Sequence, residues 1–278
     1  MRLMLKLKAS KDFAYDQKYY HKAAGFIYSL LKESPLNTLH DFKSYKFFCF
    51  SNLFPLPKNQ KGELEFSVKK GSEMNWLISS PSTLFIRILE EKLKEKKEIN
   101  IGEMSFYLES VKSFELKIPK RNLKLVSATP IIIRIPERNY DVYNIPKEFR
   151  KKRYVYWRKM YPHEAFLKQL EDNLKKKYEK FYGTKINIDN IFEIFYHKDE
   201  VVVYVTLEGR DIMMVGSLWE FYFTYLDEEQ RKILKFGIDC GFGERNSLGF
   251  GFINPVSENR TILLHFKKIG CVKLNRQN

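Results

Sequence analysis

The chain has 278 residues, 44% apolar and 15% aromatic, with 49 Lys and Arg against 34 Asp and Glu for a net charge of +15. That length suits two domains of ordinary size, no run approaches the roughly 20 apolar residues that span a bilayer, and the charge favours a polyanion such as nucleic acid, although lysine enrichment from an AT-rich genome or a hot habitat leaves the same imbalance. Cys49, Cys240 and Cys271 are too scattered for a paired-cysteine metal site or disulfide framework, and the N-terminus lacks a signal peptide's apolar block, so a cytoplasmic protein with no metal, cofactor or membrane is expected.

Residues 2–8 alternate apolar and basic with period two, the pattern of a half-buried strand. From Gln17 to Lys32 the spacing of Tyr20, Ala23, Ala24, Ile27 and Leu31 predicts an amphipathic helix. Strand-favouring runs at Tyr45–Phe50 and Leu64–Val68, separated by a loop rich in Pro, Lys, Asn and Gly, are expected to pair with each other. Pro81 opens a second helix with Phe85, Ile88, Leu89 and Leu93 on one face, and Lys92–Glu98, its lysines offset by glutamates, reads as a solvated helix face. A strand over Met104–Leu116 completes the order β-α-β-β-α-β of a ferredoxin-like unit.

The order then begins again. Thr129–Pro136 predicts a strand and Pro162–Phe181 a helix, with Phe166, Leu170, Leu174 and Tyr178 at i, i+4 spacing. Strands at Phe192–Tyr196 and Val201–Leu207 flank the polar turn His197-Lys-Asp-Glu, and Trp219–Tyr225 extends the pairing. Asp227 is a candidate N-cap with Gln230 three residues on, opening a helix that buries Ile233, Leu234, Gly237 and Ile238 and ends at glycines. A strand over Phe250–Asn254 returns to the sheet. The expected fold is therefore α+β, two tandem ferredoxin-like (RRM-like) βαββαβ domains, residues 1–125 and 126–278. No sequence repeat accompanies the repeated order.

Gly241-Phe-Gly-Glu-Arg-Asn-Ser-Leu-Gly-Phe-Gly251 sets two Gly-Phe-Gly triplets around a polar insert carrying Arg245, Asn246 and Ser247. Glycines can expose backbone N–H groups to a phosphate, so Gly241, Gly243, Gly249 and Gly251 with the three insert residues are candidate RNA-binding residues. A helix C-cap followed by a tight turn is the plainer alternative. The spacing is neither the dinucleotide fingerprint nor a P-loop, whose Gly-Lys-Ser/Thr ending is missing.

The run Phe236-Gly-Ile-Asp-Cys-Gly-Phe-Gly-Glu-Arg-Asn-Ser-Leu-Gly-Phe-Gly251 resembles the C-terminal glycine-rich motif of the CRISPR repeat-processing endoribonucleases, the Cas6 family. The resemblance implies tandem ferredoxin-like domains and metal-independent cleavage by a Tyr, His and Lys constellation from the first domain. Gly25-Phe-Ile-Tyr28, Leu39-His40 and Lys46-Phe-Phe resemble the family's first helix, following loop and second strand, so Tyr28, His40 and Lys46 are carried over as catalytic candidates. The chemistry is consistent: cutting RNA without metal needs a base near the 2′-hydroxyl, a donor for the leaving oxygen and positive charge for the transition state. Taken singly, Tyr28 reads as a core-rim tyrosine, His40 as a helix-end or loop histidine and Lys46 as a solvated lysine, with Lys43 a competitor for the lysine role. His21, His163, His197 and His265 read as structural or surface residues.

Lys147–Lys159 interleaves seven basic residues with Tyr154, Tyr156 and Trp157. Arg150, Lys151, Lys152 and Arg153 could neutralise an RNA backbone while the aromatics stack on bases, or the segment is a hairpin whose aromatics pack inward. The implied function is an endoribonuclease that binds CRISPR repeat RNA and cleaves precursor transcripts into guide RNAs, leaving a 2′,3′-cyclic phosphate and a 5′-hydroxyl. Two alternatives stay open: a catalytically inactive repeat-RNA-binding relative, and a structural RNA chaperone or ribosome-associated protein. A CRISPR effector complex and a second copy of the chain are further partners left open.

Overall fold

The structure, a computed structural model, describes residues 1–16, 18–41, 44–56, 66–207 and 209–256. Strand β1, Arg2–Ala9, follows its sequence alternation, burying Leu3, Leu5 and Leu7 while Lys6 and Lys8 face solvent. A short β2, Phe13–Ala14, leads into helix α1, Tyr20–Leu31, which buries Ala23, Ala24 and Ile27 on the predicted face. The two expected partner strands are brief and do not meet: β3 is Cys49–Phe50, and β4, Ser67–Val68, pairs with β2. Phe47 sits at φ 51, a left-handed conformation that interrupts the extended run from Tyr45. Leu64 lies outside the described residues.

The partner of β3 is β5, Glu73–Ser79, in the register Phe50↔Ile78. Its residues from Trp76 to Ser79 are buried on both faces, so it carries no apolar–polar alternation. Helix α2, Thr83–Lys94, starts where the Ser82 hydroxyl accepts the Phe85 N–H at 3.2 Å, one residue after Pro81. The helix stops at Lys94, so the solvated helix face expected up to Glu98 gives way to β6, Glu98–Ile101, which forms a hairpin with β7, Met104–Phe114. The antiparallel sheet runs β3-β5-β1-β7-β6, a ferredoxin-like arrangement with one added edge strand.

The second unit opens with β8, Arg121–Ser127, so the division expected between residues 125 and 126 falls inside a strand. Of the predicted strand at 129–136 only β9, Arg134–Pro136, is regular, pairing with β10, Tyr154–Tyr156. The isoleucines before it serve both halves: Ile132 packs in the first core, Ile131 and Ile133 in the second. Helix α3, His163–Tyr182, is closed by left-handed Gly183. The turn expected at His197–Glu200 is instead an irregularity within one long strand, β11, Ile194–Leu207, which pairs along its length with β12, Arg210–Tyr225. His197 stays in register opposite Trp219, its ring 5.1 Å away, so aromatic packing overrides the polar turn signal. Helix α4, Glu228–Cys240, begins with the predicted reciprocal capping box of Asp227 and Gln230, and β13, Ile253–Val256, completes the sheet order β11-β12-β8-β13. The fold is α+β, two ferredoxin-like units in tandem.

The halves meet through polar and aromatic contacts. Arg2 of β1 is buried, its guanidinium bonded to the Asn254 side chain and the Ile253 carbonyl and lying 4.4 Å from the Phe252 ring centre. Tyr20 of α1 stacks on Phe250 at 5.1 Å. Both contacts fix the glycine-rich segment against the first unit. Among the described residues no helix is long and apolar enough to cross a membrane.

Candidate active site and nucleic-acid interface

At the end of α4 the chain doubles back. Gly241, Gly243, Gly249 and Gly251 all have positive φ, as does Arg245 at 59°. The Phe242 N–H donates to the Gly251 carbonyl at 2.9 Å, closing the loop at its base. The two phenylalanines divide between the cores, Phe242 in the second and Phe250 in the first, so the loop is pinned into both domains.

Asn246 turns its amide inward, donating to the carbonyls of Phe242 at 3.0 Å and Phe250 at 2.9 Å. Its carbonyl oxygen accepts from Lys177 Nζ at 3.0 Å, and that ammonium also donates to the carbonyls of Gly241 and Gly243 at 2.5 and 3.1 Å. Lys177, on α3 and 2% exposed, is thus the internal cation of the loop, and burial lowers its pKa. Sequence reasoning passed over Lys177, although it follows Phe166, Leu170 and Leu174 on the apolar face of α3, where a lysine needs acceptors. Lys177→Met is expected to take the ammonium from those three oxygens, leaving the Gly241 carbonyl only the weak Cys240 thiol donor, and to cost about 2–3 kcal/mol, lowering the melting temperature by roughly 5–10 °C. Thermal unfolding followed by circular dichroism checks this, and an unchanged melting point removes Lys177 from the loop's support.

The polar insert reaches the first domain. The Tyr28 phenol, on α1, faces the Ser247 side chain; burial raises the phenol's pKa and Ser247 partly offsets that rise. The His40 ring stands edge-on to Tyr28 with centres 4.9 Å apart. His40 closes a short 3₁₀ turn, Asn37–His40, and its Nδ1 lies 3.2 Å from Asp41 Oδ1 with the side chain 70% exposed. Lys46 Nζ donates to the backbone carbonyls of Leu39 and, at 2.8 Å, His40, and burial lowers its pKa. Tyr28, His40 and Lys46 therefore gather with Ser247. Lys43 lies outside the described residues, as does His265.

Beside this group a cavity of about 560 Å³ is lined by Tyr45, Lys46, Arg134, Glu244, Arg245 and Ser247. The Arg134 guanidinium pairs with the Glu244 carboxylate and lies 4.5 Å from the centre of the Tyr154 ring. Neither Arg134 nor Glu244 stood out in sequence, because their pairing joins β9 to the glycine-rich loop.

The basic segment divides. Arg150 is engaged locally, with Asp141 at 2.8 Å and the Ile145 carbonyl at 2.8 Å. Lys151 and Lys152 are exposed, while Arg153 borders a second cleft of about 380 Å³ that shares Tyr45, Arg134 and Glu244 with the first. Trp157 is buried among Phe166 and Trp219, whereas Tyr154 and Tyr156 are half-buried on the β9–β10 hairpin. His163 and His197 join the aromatic cluster around Trp219. Among the described residues no three His, Cys, Asp or Glu side chains gather as a metal site requires.

Residues 12–112 match the family model described as CRISPR-associated protein Cas6, N-terminal, and residues 117–255 match CRISPR associated protein Cas6, C-terminal. Over 267 residues, 92% of this chain and 100% of the relative, the sequence is 34% identical to the CRISPR-associated endoribonuclease Cas6 2 of Methanocaldococcus jannaschii. It is 28% identical to the CRISPR-associated endoribonuclease Cas6 of Haloferax mediterranei over 94% of this chain and 95% of that one. A solved CRISPR associated protein Cas6 matches with a TM-score of 0.68 at 25% identity, covering 92% of this chain and 99% of that one. A structure described as a RAMP protein binding different RNA substrates, at TM-score 0.66 and 20% identity over 92% of this chain and 100% of its own, shares the fold.

Proposed function

The chain belongs to the Cas6 family, and from that premise we propose that it is an endoribonuclease that binds CRISPR repeat RNA and cuts precursor transcripts into guide RNAs where the glycine-rich loop meets α1. The N–H groups of Gly241, Gly249 and Gly251 are spent on the carbonyls of Gly237, Asn246 and Pro130, so the glycines shape the loop and do not offer those amides to a phosphate as their composition suggested. The carrying observation is the contact of Tyr28 with Ser247 and His40, which joins the loop bearing the exposed Arg245 to a histidine suited to proton transfer. The relatives' names give the reaction class; the step itself rests on the site's chemistry.

In that step the ribose 2′-oxygen attacks the adjacent phosphorus, the bond to the 5′-oxygen breaks, and the products are a 2′,3′-cyclic phosphate and a 5′-hydroxyl. The proton lost by the 2′-hydroxyl goes to a base, and the departing 5′-oxygen takes one from an acid. His40 is the group assigned to proton transfer: Asp41 sits at Nδ1 and leaves Nε2 for the RNA. Tyr28, its pKa raised by burial, keeps its proton at neutral pH and positions or donates. Lys46 braces the His40 backbone and brings positive charge to the cavity where the phosphorane forms. No step draws on a metal. The buried thiols of Cys49 and Cys240 accord with a reducing cytoplasm.

Incubating the protein with repeat RNA in EDTA is expected to give one cut with a 2′,3′-cyclic phosphate end, and a 2′-deoxy nucleotide before the break is expected to abolish it. A requirement for magnesium would sink the mechanism; tight binding without cutting would sink the enzyme and leave a binding module.

A further inference from the structure

The second cleft lies between the β9–β10 hairpin and α3 and shares Tyr45, Arg134 and Glu244 with the cavity beside the cutting group. Arg138, Arg153 and Lys176 are exposed around it and Arg134 stands within it; of its two carboxylates, Glu244 pairs with Arg134 and Asp172 with Lys168, so the rim keeps a positive excess. Tyr45, 38% exposed, offers an aromatic face, while one face of Tyr154 is covered by Arg134. Gln169 and Asn173, one turn apart on α3, supply two carboxamides. The side-chain oxygen of Asn173 is buried and has no hydrogen-bond partner. A buried acceptor left unpaired costs free energy, so a donor brought to Asn173 from the cleft would be favoured.

These features match one nucleotide. Cations at the rim suit a phosphate, an exposed tyrosine face suits a stacked base, and carboxamides of Asn and Gln suit the donor and acceptor edge of adenine. At about 380 Å³ the cleft is on the scale of a single nucleotide, and its shared wall with the larger cavity sets that nucleotide beside the one being cut. Resting on the endoribonuclease reading above, we infer that this cleft is a base-reading subsite that takes one unpaired adenine of the repeat RNA, with Asn173 accepting from the exocyclic amino group. The subsite selects the RNA's register at the cutting group and takes no part in the bond-breaking step.

The test measures equilibrium binding of uncleavable repeat RNAs, each with a 2′-deoxy nucleotide before the break and adenine placed in turn at each unpaired position flanking it. At one position, replacing adenine by purine, which lacks only the amino group, is expected to weaken binding to the wild-type protein about 10-fold. In Asn173→Ala the same replacement is expected to change binding less than about two-fold, with the melting temperature kept within about 2 °C. Lys176→Ala is expected to weaken all of these RNAs alike and to reduce the salt dependence by about one counterion. The inference is overturned if no position shows the purine penalty, or if Asn173→Ala retains it. Loss of repeat preference against unrelated RNA overturns the parent reading instead, and loss of cutting alone touches neither arm of the binding test.

Discussion

His40→Ala is expected to slow single-turnover cleavage of repeat RNA by about 10² to 10⁴ while leaving RNA affinity within about two-fold. The imidazole is 70% exposed and belongs to neither core, so its removal leaves the fold in place and changes stability by less than about 0.5 kcal/mol. The bonds from Lys46 to the Leu39 and His40 carbonyls use backbone oxygens, and those oxygens remain in the alanine variant. Tyr28 loses only the ring edge against it and keeps its contact with Ser247. The variant therefore separates proton transfer from architecture. A wild-type cleavage rate would remove His40 from the reaction, and a slow rate accompanied by weak binding would make it a binding residue.

How much of this was legible in the sequence depends on the range of the forces involved. Helices α3 and α4 were readable because their 3.6-residue periodicity and the Asp227–Gln230 cap are local signals. Strand β5 was not, because it is buried on both faces near its end and so lacks the period-two signature. The start of the second unit was misplaced because Ile131 to Ile133 form the more apolar run, and they do so because they feed two cores at once. The turn signal at His197 to Glu200 lost to the register of Trp219, a tertiary effect on a weak local preference.

The same division holds at the site. Gly241 to Gly251 announced itself by composition, and Tyr28, His40 and Lys46 by resemblance of motif and order. That Ser247 would touch Tyr28, or that Lys177 would hold the loop from within, depends on how α3 and α1 are brought to one place by separate sheets. Asn246 shows the limit most clearly. Its residue type suits an RNA contact, yet both ends of its amide are spent on the loop's own carbonyls and on Lys177. The exposed groups of the insert are Arg245 and the partly exposed Ser247, and these are the ones free to face RNA.

Gly251→Ala is expected to cost more than about 4 kcal/mol and to lower the melting temperature by 10 °C or more, with RNA binding lost in parallel. A Cβ there would lie 1.9 Å from the Phe242 carbonyl oxygen and 2.9 Å from Asn246 Nδ2, at a φ of +69. Neither neighbour can give way: the Phe242 carbonyl belongs to a backbone whose ring is held in the second core, and Asn246 is bonded on both sides. Relief would require the loop to open, withdrawing Phe250 from the first core and Ser247 from Tyr28. Gly183→Ala isolates the conformational part of this cost, since that glycine also has positive φ, +72, but nothing lies within 4 Å of its added Cβ. That variant is expected to lose about 1 kcal/mol, with cleavage unchanged. If Gly251→Ala melts within a few degrees of Gly183→Ala, close approach is not what the second triplet is for, and the glycines serve only to turn the chain.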